Sequence, residues 1–205
     1  MKRVLISLLI FLLVGTCVWW LQQTSSEVPK SNKSCAINET HLFLNKLELI
    51  FSTNSASKKI VTEFSESEIN TFLSRKGEKY FPSGISQIQV DLQQDVILGQ
   101  LLVDFDKVRS SLNRPSSPLI TTLLTGKHTL NIESRIITEN GTGRYEILNV
   151  LLNGQEVPKI FIDFLLENYV FSKYPAVKPN TPFDLPFKIK TIRIQPGRII
   201  VEQAP

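Results

Sequence analysis

Residues Val4 to Trp20 form an uninterrupted, uncharged and almost wholly apolar run directly behind Met1-Lys2-Arg3, and no other feature limits the fate of this chain so strongly. At about 1.5 Å per residue, a helix of that length just crosses a hydrocarbon core about 30 Å thick. Two readings compete. A cleaved secretory signal is favoured by the basic start and the apolar core, but no A-x-A-like site follows, because the run ends Thr16-Cys17-Val18-Trp19-Trp20. An uncleaved signal anchor is favoured by the cations at one end and the Trp pair at the other, where indole rings settle at a membrane interface. Lipidation of Cys17 fits poorly, with bulky Val14 and Thr16 before it and Trp19-Trp20 behind it. We therefore expect residues 1–21 to be a signal anchor and single-pass transmembrane helix. Lys2 and Arg3 keep its N-terminus cytoplasmic, which places the domain on the extracytoplasmic side, periplasmic or extracellular.

Lys2 and Arg3 also supply half of the formal net charge of +4, leaving 21 basic and 19 acidic residues after Trp20. These are scattered, with no basic run longer than Lys58-Lys59 and no interleaved stacking aromatics, so a nucleic-acid partner is not expected. An apolar fraction of 42% excludes a disordered chain, and 2 cysteines are too few for a disulfide scaffold. Cys17 lies in the apolar run and Cys35 beyond it, so the two do not readily pair. Residues 22–35 are polar and aperiodic, as a flexible linker would be. The remainder, 36–205, has the length of one domain.

Within that domain Leu44, Leu47 and Ile50 or Phe51 recur at helical spacing, predicting a helix over 37–51, although Leu42-Phe43-Leu44 also suits a strand. Lys59 to Phe64 reads as a strand. Ser65 and Glu68 then form a capping box, with Phe64 and Ile69 as a hydrophobic staple, and open a helix expected to reach about Tyr80 before Pro82 closes it. Period 2 replaces period 3.6 afterwards. Ile88, Val90 and Leu92 alternate into a turn at Gln93-Gln94-Asp95, and Leu101, Val103 and Phe105 alternate in a return strand ending at Asp106. A second hairpin follows, with Leu130, Ile132 and Ile136 on one face, a turn over 139–143 and a return strand over 144–152. After Lys159, polar breaks in the segment Pro158 to Phe171 occur only at Asp163, Glu167 and Asn168, which predicts a helix apolar around most of its circumference and covered on nearly all sides. In the tail Phe183, Leu185, Phe187 and Ile189 alternate. Ile192 and Ile194 then take the other parity, the phase change expected of a β-bulge at Lys190-Thr191, and Pro196-Gly197 turns into the last strand.

These elements predict an α+β fold: a curved, mostly antiparallel sheet packed around one long apolar helix, preceded by a single N-terminal transmembrane helix. The runs Phe64-Ser-Glu-Ser-Glu-Ile-Asn-Thr-Phe-Leu73, Val103-Asp-Phe-Asp106, Asn153-Gly-Gln-Glu-Val-Pro158 and Pro182-Phe-Asp-Leu-Pro-Phe187 resemble a group of uncharacterised bacterial membrane-anchored envelope proteins. Over roughly residues 57–203 the layout is similar to the tubular lipid-binding superfamily, that of the bactericidal/permeability-increasing protein, in which a curved sheet wraps a long helix and holds acyl chains. The resemblance implies binding of a lipid or other apolar ligand in the cell envelope and carries over no catalytic residue. On this reading Phe161, Phe164, Leu165 and Phe72 line a groove between sheet and helix.

Catalysis is not expected. The histidines, His41 and His128, show no zinc spacing, so no metal site is predicted and no cofactor is called for. Gly126-Lys127 resembles the end of a phosphate loop, but Thr121 stands where the first glycine belongs and His128 where Ser or Thr binds magnesium. Asp104 and Asp106 fall two apart on one predicted strand face, where a solvated edge is the simpler account. The partners expected are therefore the membrane, through the N-terminal anchor, together with a lipid ligand or an envelope protein contacted through a sheet edge or the apolar helix.

Overall fold

The structure, a computed structural model, describes residues 34–52, 59–77, 80–81, 83–111, 125–166 and 178–205. The expected anchor at 1–21 and most of the expected linker lie outside the described residues. Among the described residues no helix is long and apolar enough to cross a membrane.

The first helix, α1 (Ser34–Ser52), takes in the last two positions of the expected linker and settles the choice at Leu42-Phe43-Leu44 in favour of helix. Phe43, Leu47, Ile50 and Phe51 form its buried stripe. Strand β1 (Ile60–Ser65) runs straight into α2 (Glu66–Lys76) through the predicted capping box. Glu68 N–H donates to Ser65 Oγ at 3.2 Å, and Ser65 N–H donates to Glu68 Oε2 at 2.9 Å. The structure adds a partner the local sequence does not reveal: Lys46 of α1 donates to both Glu68 oxygens, at 2.7 and 2.8 Å. A carboxylate on the buried side of a helix is thus neutralised by the neighbouring helix while it caps its own. α2 stops at Lys76, short of the expected Tyr80, with the Gly77 N–H bonded to Leu73 O. Tyr80 nevertheless stays packed on Phe72, ring centroids 5.4 Å apart.

Strands β2 (Ile85–Gln93), β3 (Val96–Asp104), β4 (Lys127–Glu139) and β5 (Thr142–Leu152) form the two predicted hairpins, and β3 pairs β4, so both hairpins belong to one antiparallel meander. Strand β6 (Gln155–Glu156) extends it to a six-stranded sheet in which β7 (Phe183–Asp184) also pairs β5. A smaller sheet has the order β1-β9-β8, from β8 (Ile189–Gln195) and β9 (Arg198–Gln203). The alternating tail predicted as one strand is therefore split between two sheets. Phe187 and Lys188 both take positive φ, 57° and 56°, which turns the chain out of the larger sheet and into the smaller one. The bulge predicted at Lys190-Thr191 is present as a register shift between Ile189 and Thr191.

The expectation of a sheet wrapped around one long apolar helix is overturned. After Pro158 the described residues form α4 (Lys159–Leu165), whose Ile160 is 81% exposed, and residues 167–177 lie outside the described residues. The core is instead built by α1 and α2 against the inner faces of both sheets. Phe43, Phe64 and Phe72 are almost completely buried there, together with Ile88, Val90, Leu92, Ile97, Ile194, Ile199 and Val201. The physical reason is amphipathicity: α1 and α2 each have one apolar stripe to bury, and each sheet has one apolar face to cover. The predicted strand end at Asp106 is also corrected. β3 stops at Asp104 and Phe105 opens α3 (Phe105–Ser111), with Asp104 Oδ1 accepting from Lys107 N–H as an N-cap at 3.1 Å.

The outer face of the smaller sheet carries ion pairs rather than apolar contacts. Glu202 bonds Lys59 at 2.8 Å and also pairs with Arg193, while Arg198 lies 3.4 Å from Glu63. The hydrogen bond from Lys59, with the charge of Arg193 beside it, holds Glu202 below the usual carboxylate range against some desolvation. A depressed folded value contributes stability that is present above the unfolded value, 4.5, and is lost as pH falls through the folded one. We expect Glu202→Gln to lower stability slightly at pH 7 and to match the parent under strong acid. Urea titrations across pH 2–7 check this, and a gap that persists at the acid end refutes it.

Candidate functional site

The solvent-facing side of the meander is built from side chains set in register by its hydrogen-bond ladder. Gln89 stands opposite Gln100, Gln100 opposite Asn131, and Asn131 opposite Leu151. The next outward row runs Asp91, Leu98, Glu133, Asn149. Between them the row Val90, Gly99, Ile132, Val150 turns inward, and Val90 and Val150 are buried. Register shifts between Ser86 and Gln89 and between Glu133 and Ser134 interrupt the ladder beside these rows, the kind of irregularity that bends strands. The result is a concavity of about 380 Å³, floored by the backbone of Val90, Gly99 and Ile132 and walled by both outward rows.

Its chemistry follows from the residue types. Gln89, Gln100, Asn131 and Asn149 each offer an N–H₂ donor and a carbonyl acceptor, Asp91 and Glu133 offer carboxylates, and among the described residues no Lys or Arg lines the hollow. Asp91 accepts from Gln93 at 2.9 Å, whereas the side chains of Gln89, Gln100, Asn131, Glu133 and Asn149 have no hydrogen-bond or ion-pair partner within the protein among the described residues. Leu98 and Leu151 stand diagonally among them and supply apolar contact. Such a surface suits a neutral or cationic group rich in hydrogen-bonding atoms and opposes an anionic one.

Of the residues expected to line an apolar groove, one has a described side chain. Phe72 is 0% exposed, stacked on Phe43 at 4.5 Å between ring centroids, and belongs to the core. Phe161, Phe164 and Leu165 have their backbone in α4, and their side chains lie outside the described residues. Of the four, the structure thus describes the side chain of Phe72 alone, and it lies in the core. The amide rows were missed in the sequence because each residue reads as an ordinary polar position of an alternating strand. The available signal was compositional, since Gln and Asn occupy outward positions that Lys and Glu commonly fill.

His128 and the aspartates are structural. Thr129 N–H donates to Asn153 Oδ1 at 3.0 Å, which fixes the Asn153 amide. Its N–H₂ then faces His128 Nδ1 at 2.8 Å, so Nδ1 accepts and Nε2–H donates to Thr125 O at 2.7 Å. Both ring nitrogens are engaged, and Phe105 packs against the ring at 5.6 Å. Asp104 caps α3, and Asp106 Oδ2 accepts from Gly126 N–H at 2.9 Å, so the two carboxylates act on different loops. Among the described residues no group of three His, Cys, Asp or Glu is placed to hold a metal ion. No protein-family model matches the chain, and no curated protein matches it either.

Proposed function

We propose that this chain is a cell-envelope protein held at the membrane by its N-terminal apolar run, working by binding rather than catalysis as an assembly or scaffold protein. Its partner is a protein segment received on the concave outer face of β2 to β5. The observation that carries this reading is that Gln89, Gln100, Asn131, Glu133 and Asn149 on that face have no internal side-chain partner among the described residues. An extended segment presents alternating donors and acceptors that Gln89, Gln100, Asn131 and Asn149 complement, while Asp91 and Glu133 favour Lys or Arg on it. The same carboxylates disfavour the phosphate of a phospholipid.

A photo-crosslinking side chain placed at Gln100 or Asn131 of the full-length protein in cells is expected to give one discrete protein adduct, absent when the probe stands at Lys190 on the other sheet. Replacing Gln100 and Asn131 together with Ala is expected to weaken that contact about tenfold, two net hydrogen bonds at roughly 0.5–1.5 kcal/mol each. Equal labelling from all three positions refutes the reading.

A lipid or other apolar ligand is the second reading, favoured by Ile160, which is 81% exposed on α4. Lipid adducts from a probe at Ile160, with none from Gln100, select it.

A further inference from the structure

Among the described residues, several strand edges are covered in part. At the β2 edge Asn70 of α2 donates to Val90 O and accepts from Val90 N–H, both at 2.8 Å, and Glu66 accepts from Leu92 N–H at 2.8 Å. On the far side of the larger sheet, β6 pairs Leu151 and Leu152 of β5, and β7 pairs Thr142 and Gly143. The outer side of β8 is tied to the larger sheet, with Thr138 Oγ1 donating to Ile192 O at 3.0 Å and accepting from Ile192 N–H at 2.8 Å, and with Gly141 N–H reaching Lys190 O at 3.0 Å.

Among the described residues, β1 has no such cover at Val61 and Glu63. Gln195 and Arg198 close the Pro196-Gly197 turn as a hydrogen-bonded pair, so the next residue, Ile199, bonds away from β8 toward Phe64. By alternation Thr62 and Phe64 bond β9, and Val61, Glu63 and Ser65 present their backbone groups outward. The capping box agrees with this phase, since Ser65 N–H reaches the Glu68 carboxylate rather than β9. Among the described residues no bond closes Val61 or Glu63 on that side.

The charges on this edge are self-complementary. Val61, 55% exposed, sits midway between Lys59 and Glu63, whose side chains are 60% and 52% exposed. We infer that β1 pairs antiparallel with β1 of a second copy of this chain about a twofold axis at Val61. Val61 then exchanges both backbone hydrogen bonds with Val61 of the second copy, and Lys59 stands opposite Glu63 of that copy. One lysine on an edge repels a neighbouring strand, but a Lys–Val–Glu pattern at alternate positions attracts its own inverse. The two smaller sheets join into one continuous sheet through a small contact, and isologous pairing of this kind closes at the dimer.

The test uses the full-length chain in detergent micelles, with Cys17→Ser and Cys35→Ser removing the native thiols. Val61→Cys is expected to cross-link rapidly on oxidation, because directly opposed residues of a hydrogen-bonded antiparallel pair lie about 5.5 Å apart at Cα, within disulfide range. Glu63→Lys is expected to raise the dimer dissociation constant about tenfold, two symmetry-related attractions becoming repulsions, and the exchanged variant Lys59→Glu with Glu63→Lys is expected to restore it. Three results overturn the inference: a monomer throughout, Val61→Cys cross-linking no faster than Lys190→Cys, or a dimer insensitive to Glu63→Lys because the N-terminal run alone drives it. Each leaves the proposed site on the other sheet untouched.

Discussion

Replacing Phe72 with Ala is expected to destabilise the protein by about 3–5 kcal/mol, the range for deleting a fully buried ring. Phe72 projects from α2 at 0% exposure and joins Phe43 of α1, at 4.5 Å, to Tyr80, at 5.4 Å. Phe43 continues the cluster to Phe64 of β1 in an edge-on contact at 5.3 Å. Removing the ring leaves a cavity where two helices and the smaller sheet meet, and the close packing of such a centre gives it little room to collapse. Urea unfolding of the full-length protein should show a lower midpoint with an unchanged slope. Intact stability together with a lost apolar ligand would return Phe72 to the groove expected from the sequence.

Gly84→Ala is expected to cost about 2–4 kcal/mol, combining left-handed strain with overpacking. Gly84 has φ +105°, and a Cβ there would stand 2.7 Å from the backbone oxygen of Asp104 and 3.0 Å from both Lys107 Cβ and Val108 Cγ2. The oxygen cannot swing aside as a side chain would, because Asp104 N–H is bonded to Gly84 O at 2.7 Å and the strand end is held between them. Gly154 supplies the control: its φ is +79°, but a Cβ there meets nothing within 4 Å, so Gly154→Ala carries the strain alone, about 1–2 kcal/mol. The difference between the two variants measures the clash. Equal losses would mean that the junction of β2 with α3 opens without penalty.

Where the signal was local, the chain was legible. Ser65 and Glu68 announce α2 because a capping box is satisfied within four residues, and the alternation around Gln94-Asp95 announces the first hairpin because register is set by a tight turn. The segment after Pro158 misled because an apolar run of that length suits a long buried helix, and nothing in it shows that Ile160 stands exposed while α1 and α2 cover the core. The alternation from Phe183 to Ile189 misled differently. The left-handed turn at Phe187-Lys188 falls on residues that seldom take positive φ, so no glycine or asparagine advertised the change of sheet. The candidate site was illegible for a third reason. Gln89, Gln100, Asn131 and Leu151 lie far apart in the chain and become a row only through three strand pairings.

The sequence by itself determined the capped helix, the two hairpins, the bulge and the apolar run at the start, because caps, turns and hydrophobic period act over a few residues. Tertiary structure decided which helices cover the core, where the tail changes sheets, that Lys46 neutralises Glu68, and which outward side chains gather into one concavity. Those outcomes depend on pairings between distant segments, and a polar residue at an alternating position looks the same whether it faces open solvent or a hollow.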